Sequence, residues 1–275
     1  MAGKLFIDGQ DAYTSYGLDV EHGGYCFLPE FPSLKNIDTN DWPEENGLEV
    51  DWGSVTLNPH EFSVSFAFLK PGGRESFVRM LSETALYHVW QFAEAGRTVK
   101  LRIVSEVKWQ DCVIFKKFSL KFADDFPYDY VYAAPSSSIA NVTPGTLLNG
   151  VDLGSYGIAV LEGTKDSVEK EPDVKPNLSR NIQALNGTIY SDTDVHYKQK
   201  DVKLNLLMRA STLTEFWRNR NALLSDLTAK SERLLYFNGR TYQYYYKGCS
   251  SKRFHPLGKI WFEFNLNLCI TGIKG

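Results

Sequence analysis

The sequence lacks every short signature that would announce chemistry: it has no C-x-x-C, no H-E-x-x-H, no G-x-G-x-x-G and no G-x-x-x-x-G-K-[ST]. Zinc clamps, metalloprotease helices, dinucleotide turns and phosphate cradles each need one of those spacings, so no metal and no cofactor is expected. Its five histidines (His22, His60, His88, His196, His255) are scattered without metal-ligand spacing. Cysteine is sparse as well. Cys26, Cys112, Cys249 and Cys269 lie far apart, which reads as buried free thiols in a reducing compartment rather than a disulfide framework. No run approaches the ~18 apolar residues of a membrane span. The N-terminus turns polar directly after Leu5-Phe6-Ile7, too soon for a signal peptide, so folding in the cytoplasm is expected. Triplets at Asn141, Asn177 and Asn186 fit a glycosylation acceptor, a pattern short enough to arise by chance.

Catalytic arrangements are equally thin. Gly154-Ser155-Tyr156-Gly157 lacks the residue between Gly and Ser that a nucleophile elbow requires, and Thr14-Ser15-Tyr16-Gly17 has no leading Gly. Both read as structural turns in which glycine supplies a permissive backbone, which singles out Tyr16, Gly17, Tyr156 and Gly157. The pairs Glu44-Glu45 and Asp124-Asp125 read as solvated carboxylates. No catalytic residue is assigned, and the chain is expected not to be an enzyme.

A net charge of −3 argues against nucleic-acid binding, which draws on an excess of Lys and Arg. Residues 1–140 carry 20 acidic and 12 basic side chains, leaving 13 and 18 for residues 141–275. Either the two surfaces are unrelated, or oppositely charged faces meet during assembly.

What the chain does have is aromatics, hydrophobic alternation and a repeat. Phe and Tyr, 17 and 15 of 275 residues, suit pleated half-buried surfaces and lean the reading towards β structure. Ile7-Asp8-Gly9-Gln10-Asp11 leads into Ser15-Tyr16-Gly17-Leu18; about 140 residues later, Leu148-Asn149-Gly150-Val151-Asp152 leads into Ser155-Tyr156-Gly157-Ile158. Phe62, Val64, Phe66 and Phe68 alternate with small residues, as Val202, Leu204, Leu206 and Met208 do later, predicting strands with one buried face. Helical spacing follows each: Phe77, Leu81, Ala85, Val89 and Phe92 up to Gly96, then Leu213, Trp217, Leu223, Leu224 and Leu227 behind the capping box Thr212-x-x-Glu215. Further β-rich stretches span 99–104 and 112–122, then 234–237, 241–247 and 259–270.

The prediction is a mainly β (α+β) protein of two tandem β-sandwich domains, each with one flanking helix. Their bounds are 1–134 and 146–275, joined by a linker at 135–145 inside the small, polar stretch that begins at Ala133. Connections of about 35–40 residues precede the second long strand in each copy, too long to be idle. They hold Trp42-Pro43-Glu44-Glu45 and Glu169-Lys170-Glu171-Pro172. Trp42 and Trp52 are candidate interface anchors or core plugs. Along Tyr242, Tyr244, Tyr245 and Tyr246, strand alternation places Tyr245 on the face opposite Tyr244 and Tyr246, making it a third interface candidate.

The opening Phe6-Ile7-Asp8-Gly9-Gln10-Asp11, the Ser15-Tyr16-Gly17-Leu18 turn and this order of elements resemble the tube-forming domain of bacteriophage tails, in particular distal tail (Dit-like) hub proteins. The resemblance implies tail-tube-like domains, a non-enzymatic virion role in the distal tail or baseplate of a phage or prophage, and assembly in the bacterial cytoplasm. It also implies partners: other tail proteins, and self-association into a ring around the DNA channel without specific nucleic-acid binding or membrane contact. Two tube domains per chain imply a trimer with pseudo-sixfold symmetry or a hexamer. A second tube-like copy departs from the usual distal tail pattern, which often has a carbohydrate-binding-like or variable domain there. A carbohydrate- or surface-binding β-sandwich module is the alternative that exposed Tyr245 and Trp42 would support.

Overall fold

The structure, a computed structural model, describes residues 2–21, 23–83, 86–104, 108–111, 116–139, 145–176, 179–190 and 195–274. His22, Ala85, Cys112 and the triplets at Asn141 and Asn177 lie outside them. The first sheet starts with a turn that its sequence demands. Asp8 (φ 49°) and Gly9 (φ 80°) form the left-handed pair of a type I′ hairpin between β1 (Leu5–Ile7) and β2 (Gln10–Asp11). Asp11 caps α1 (Ala12–Tyr16) by accepting from the Thr14 N–H, and Gly17 at φ 67° ends it before β3 (Leu18–Val20). A long connection carries β4 (Thr39–Asn40) and β5 (Glu49–Val50). Then come β6 (His60–Phe68), α2 (Gly73–Glu83), β7 (Tyr87–Phe92), β8 (Arg97–Ile103), β9 (Lys108–Asp111) and β10 (Lys116–Asp124). The sheet order is β2-β1-β7-β8-β10-β6-β3, with β9 also on β10.

The second half runs β11 (Leu147–Leu148), β12 (Val151–Asp152), β13 (Ile158–Val160), α3 (Thr164–Glu169), β14 (Ser179–Asn181), β15 (Thr188–Tyr190) and β16 (Lys200–Ala210). It closes with α4 (Leu213–Leu227), β17 (Leu234–Phe237), β18 (Arg240–His255) and β19 (Ile260–Lys274). Its order, β12-β11-β17-β18-β19-β16-β13, matches the first sheet place for place, with β18 long enough to fill the positions of β8 and β9. Local details match too. Asn149 (φ 52°) and Gly150 (φ 82°) repeat the type I′ turn, and Asn149 holds the N–H of Leu234 at 3.0 Å as Asp8 holds that of Val89 at 2.8 Å.

Both Tyr-Gly pairs end a short helical turn with glycine in the left-handed conformation. Gly157 (φ 74°) donates back into its turn, and its carbonyl accepts from Arg209, as that of Gly17 accepts from Leu69. A β-carbon at Gly157 would overlap the Arg209 carbonyl, and one at Gly17 would overlap Lys70. Gly17→Val and Gly157→Val are each expected to cost about 1–3 kcal/mol, read as a lower urea midpoint with unchanged slope. Tyr156 is buried with its hydroxyl donating to Asp226 at 2.5 Å, whereas Tyr16 is half-buried, edge-on to Phe77 at 5.7 Å.

The sequence reading needs correction in one helix. The helical spacing from Phe77 to Phe92 continues only to Glu83; Val89 and Phe92 lie in strand β7, and Gly96 ends a short turn between β7 and β8. There His88, Trp90 and Phe92 are buried while Val89 and Gln91 are exposed, a period of two that pairs with β8 from Trp90↔Val99 outward.

One continuous hydrophobic cluster runs through both halves. Phe31, from the first connection, packs edge-on against Phe264 of β19, and Trp217 of α4 donates from Nε1 to the Ala95 carbonyl at 2.7 Å. The stretch around the expected linker is fastened down. Tyr130 hydrogen-bonds Ser225, the Ser136 N–H reaches Asn219, and the Ser138 N–H reaches Glu215, all on α4. Cys26 and Cys249 are half-buried and Cys269 is buried, all three as free thiols. Burial pushes the Cys249 thiol up to about 12 and the Cys269 thiol to about 11, so both stay protonated at neutral pH.

Candidate assembly surfaces

Each long connection is a two-stranded arm on a two-residue neck. In the first, Leu34 bridges Leu57 and β4 pairs β5; in the second, Val174 bridges Tyr197 and β14 pairs β15. The neck hydrogen bonds agree atom for atom at an offset of 140 residues. Lys35 donates to Thr56 and Asn58 to Ser33; Lys175 donates to His196 and Lys198 to Asp173. Both arms turn at Asn-Gly, with Gly47 at φ 73° and Gly187 at φ 83°, the conformation glycine favours.

The first arm is docked on the second half. Lys175 is only 5% exposed, and its ammonium donates to Asp41 Oδ1 (2.5 Å), the Trp42 carbonyl (2.8 Å) and the Gly47 carbonyl (2.9 Å). All three donors of the ammonium are thereby used, the arrangement a buried lysine needs. The Gly47 N–H donates to the Tyr197 carbonyl (2.8 Å), the Asn46 side chain accepts from the Tyr197 N–H (2.8 Å), and the Leu48 N–H reaches the Thr271 carbonyl (3.1 Å). A β-carbon on Gly47 would overlap that same Thr271 carbonyl, so only glycine fits so close to β19. Asp41 of the first half and Lys175 of the second thus pair inside the chain.

A second joint lies on α4. Arg220 is 4% exposed, donates to the carbonyls of Pro29 (3.1 Å) and Glu30 (2.6 Å), and lies 4.6 Å over the Phe31 ring. Beside it is a cavity of about 20 Å3 lined by His60, Arg97, Asp124 and Arg220, room for one water. Burial, reinforced by the Arg220 charge, drives the His60 imidazole down to about 3, and its Nε2 has no protein partner.

The three interface candidates fall in three places. The Trp42 indole donates to Glu49 within its own arm (2.9 Å), and the Trp42 carbonyl accepts from Lys175 of the second half. Trp52 is half-buried under the Arg233 guanidinium, 5.0 Å from its ring. Tyr245 is half-buried opposite Cys269 of β19, on the other face from the buried Tyr244 and Tyr246. Among the described residues no ring contact joins the three, and no group of three or more His, Cys, Asp or Glu is placed to hold a metal ion. No helix among them is long and apolar enough to cross a membrane. Lys175 and Asn46-Gly47 escaped the sequence reading; the shared proline three residues ahead of Lys35 and Lys175, with Asn-Gly in each arm, was the signal.

No family model matches the chain, and no curated protein matches it. Among solved structures, the crystal structure of the SPP1 Dit (gp 19.1) protein, described as a paradigm of the hub adsorption apparatus in phages infecting Gram-positive bacteria, aligns over 97% of this chain and 98% of its own. The alignment has a TM-score of 0.34 and 11% sequence identity.

Proposed function

We propose that residues 1–134 and 146–275 are two copies of one tail-tube-like unit, and that the chain is a non-enzymatic structural protein of a phage or phage-like tail. In this reading it sits at the distal tail or baseplate hub, rings the DNA channel and joins neighbouring tail proteins. The observation that carries its assembling role is the direction of the contact between halves. The arm of one unit lands on the flank of the next, so donor and receiver are different surfaces, and such a head-to-tail contact propagates until rotation closes a ring. Two units per chain make three chains a ring of six units.

Negative-stain electron microscopy and mass photometry of the full chain test this. Closed rings with a central opening and the mass of three chains are expected at high protein concentration. Monomers alone, with tail partners present as well as absent, would discard the reading.

A further inference from the structure

The head-to-tail contact inside the chain has an unfilled twin. At the 140-residue offset, the docked turn Asn46-Gly47 corresponds to Asn186-Gly187, and the buried Lys175 corresponds to Lys35. Lys35 is exposed, and nothing lies within 4 Å of a β-carbon built on Gly187. The receiving backbone lacks the counterpart hydrogen bonds as well, with Leu57 itself 8% exposed and its side chain in the core. Matching sheet registers, Lys200↔Ile270 and His60↔Asp124, make Asp125 the counterpart of Thr271, as Leu57 is of Tyr197. Among the described residues, neither Leu57 nor the Asp125 carbonyl has a backbone hydrogen-bond partner.

We propose that the second arm docks on the first half of a second copy of this chain. Its Asn186-Gly187 turn would meet the backbone of Leu57 and Asp125, and Asn181 and the Ile182 carbonyl would meet the Lys35 ammonium. This rests on the self-assembling role proposed above and names the surfaces that carry it.

Charge selects the occupant. Arm one carries Asp41, Glu44, Glu45 and Glu49, and the surface beneath it carries Lys175, Lys198 and Lys200. At the same places arm two carries Asn181, Ala184, Leu185 and Ile189, with Arg180 the one charge between Ser179 and Tyr190, and the first half carries Lys35 and Asn58, His60 lining the cavity beside Arg220. The arm has lost four carboxylates and the surface two lysines. An arm without carboxylates between Ser179 and Tyr190, with Leu185 and Ile189 exposed, suits a surface where Phe126 is 42% exposed and Lys35 stands where Lys175 is buried; the acidic arm suits the surface with Lys175, Lys198 and Lys200 beside Glu171. A copy of this chain supplies both the carboxylate-free arm and the lysine-poor surface, and the poorer match of the crossed pairings fixes the order head to tail.

Sedimentation velocity of the full chain, across a concentration series, decides the matter. Lys35→Glu and Gly187→Val are each expected to weaken self-association by about tenfold or more; Lys35→Glu, at an exposed position, should leave thermal unfolding of the monomer unchanged, whereas Gly187→Val also strains the φ 83° turn, so its monomer unfolding is followed alongside. Asn181→Asp gives arm two the carboxylate that arm one uses, and is expected to tighten association several-fold, a gain lost when Lys35→Ala is added. If wild type associates and all three variants associate equally well, this docking is wrong and the assembling role stands on other surfaces. If wild type stays monomeric throughout, both fall.

Discussion

Arg220→Ala is expected to lower the unfolding free energy by about 3–5 kcal/mol, the cost of breaking a buried, hydrogen-bonded charge site. Burial draws the guanidinium down only to about 10, so it is charged at neutral pH. It satisfies the Pro29 and Glu30 carbonyls and covers Phe31, which is itself 2% exposed. Truncation strips two carbonyls of their donor and opens a gap where the first connection crosses α4. Urea unfolding should show the midpoint falling, and thermal unfolding should drop by roughly 6–20 °C. Arg220→Lys, which keeps the charge but loses the fork that reaches both carbonyls, should fall between the two. A loss below about 1 kcal/mol for the alanine variant would show that this joint contributes little.

Acid should loosen the same joint. His60 is held neutral down to about pH 3 in the folded chain, against an ordinary value of 6.5. Its folded pKa is therefore depressed, so the stability is fully present above about pH 6.5. As pH falls the unfolded chain gains a proton that the folded chain refuses, and stability drains away until about pH 3. At about 1.4 kcal/mol per tenfold preference, the loss over that window is about 4–5 kcal/mol. Asp124, raised by burial in the same cavity, works the same side of the titration in the opposite sense: it takes up a proton more readily folded than unfolded and offsets part of the loss. Urea midpoints from pH 7 to 4 measure the slope, and His60→Leu should flatten it. An equal slope in that variant would assign the acid sensitivity to other groups.

Much of the fold was legible because it is local. Asp8-Gly9 and Asn149-Gly150 permit few turns, Tyr16-Gly17 and Tyr156-Gly157 need a left-handed residue, and the alternation from Phe62 and from Val202 has period two in any context. The helix at 213–227 was readable from its capping box, since Thr212 accepts from the Glu215 N–H within one turn. The helix at 73–83 was overextended because Val89 and Phe92 fit a helical stripe as well as a strand, and only pairing with β8 decides between them.

Of the candidate surface, the long connections and their tryptophans were visible in the sequence, but the residue that carries the contact was not. Nothing near Lys175 marks it as buried, because its three acceptors come from a segment more than 120 residues away. The sequence by itself determined the turns, the strand faces and the repeat, all of which depend on sterics and hydrophobicity over a few neighbouring residues. Only the tertiary structure decided that the halves share one core and that one arm is docked while its twin is free. Those outcomes depend on where the chain's connectivity brings distant surfaces within reach, and one chain can offer a landing site to its first arm but not to its second.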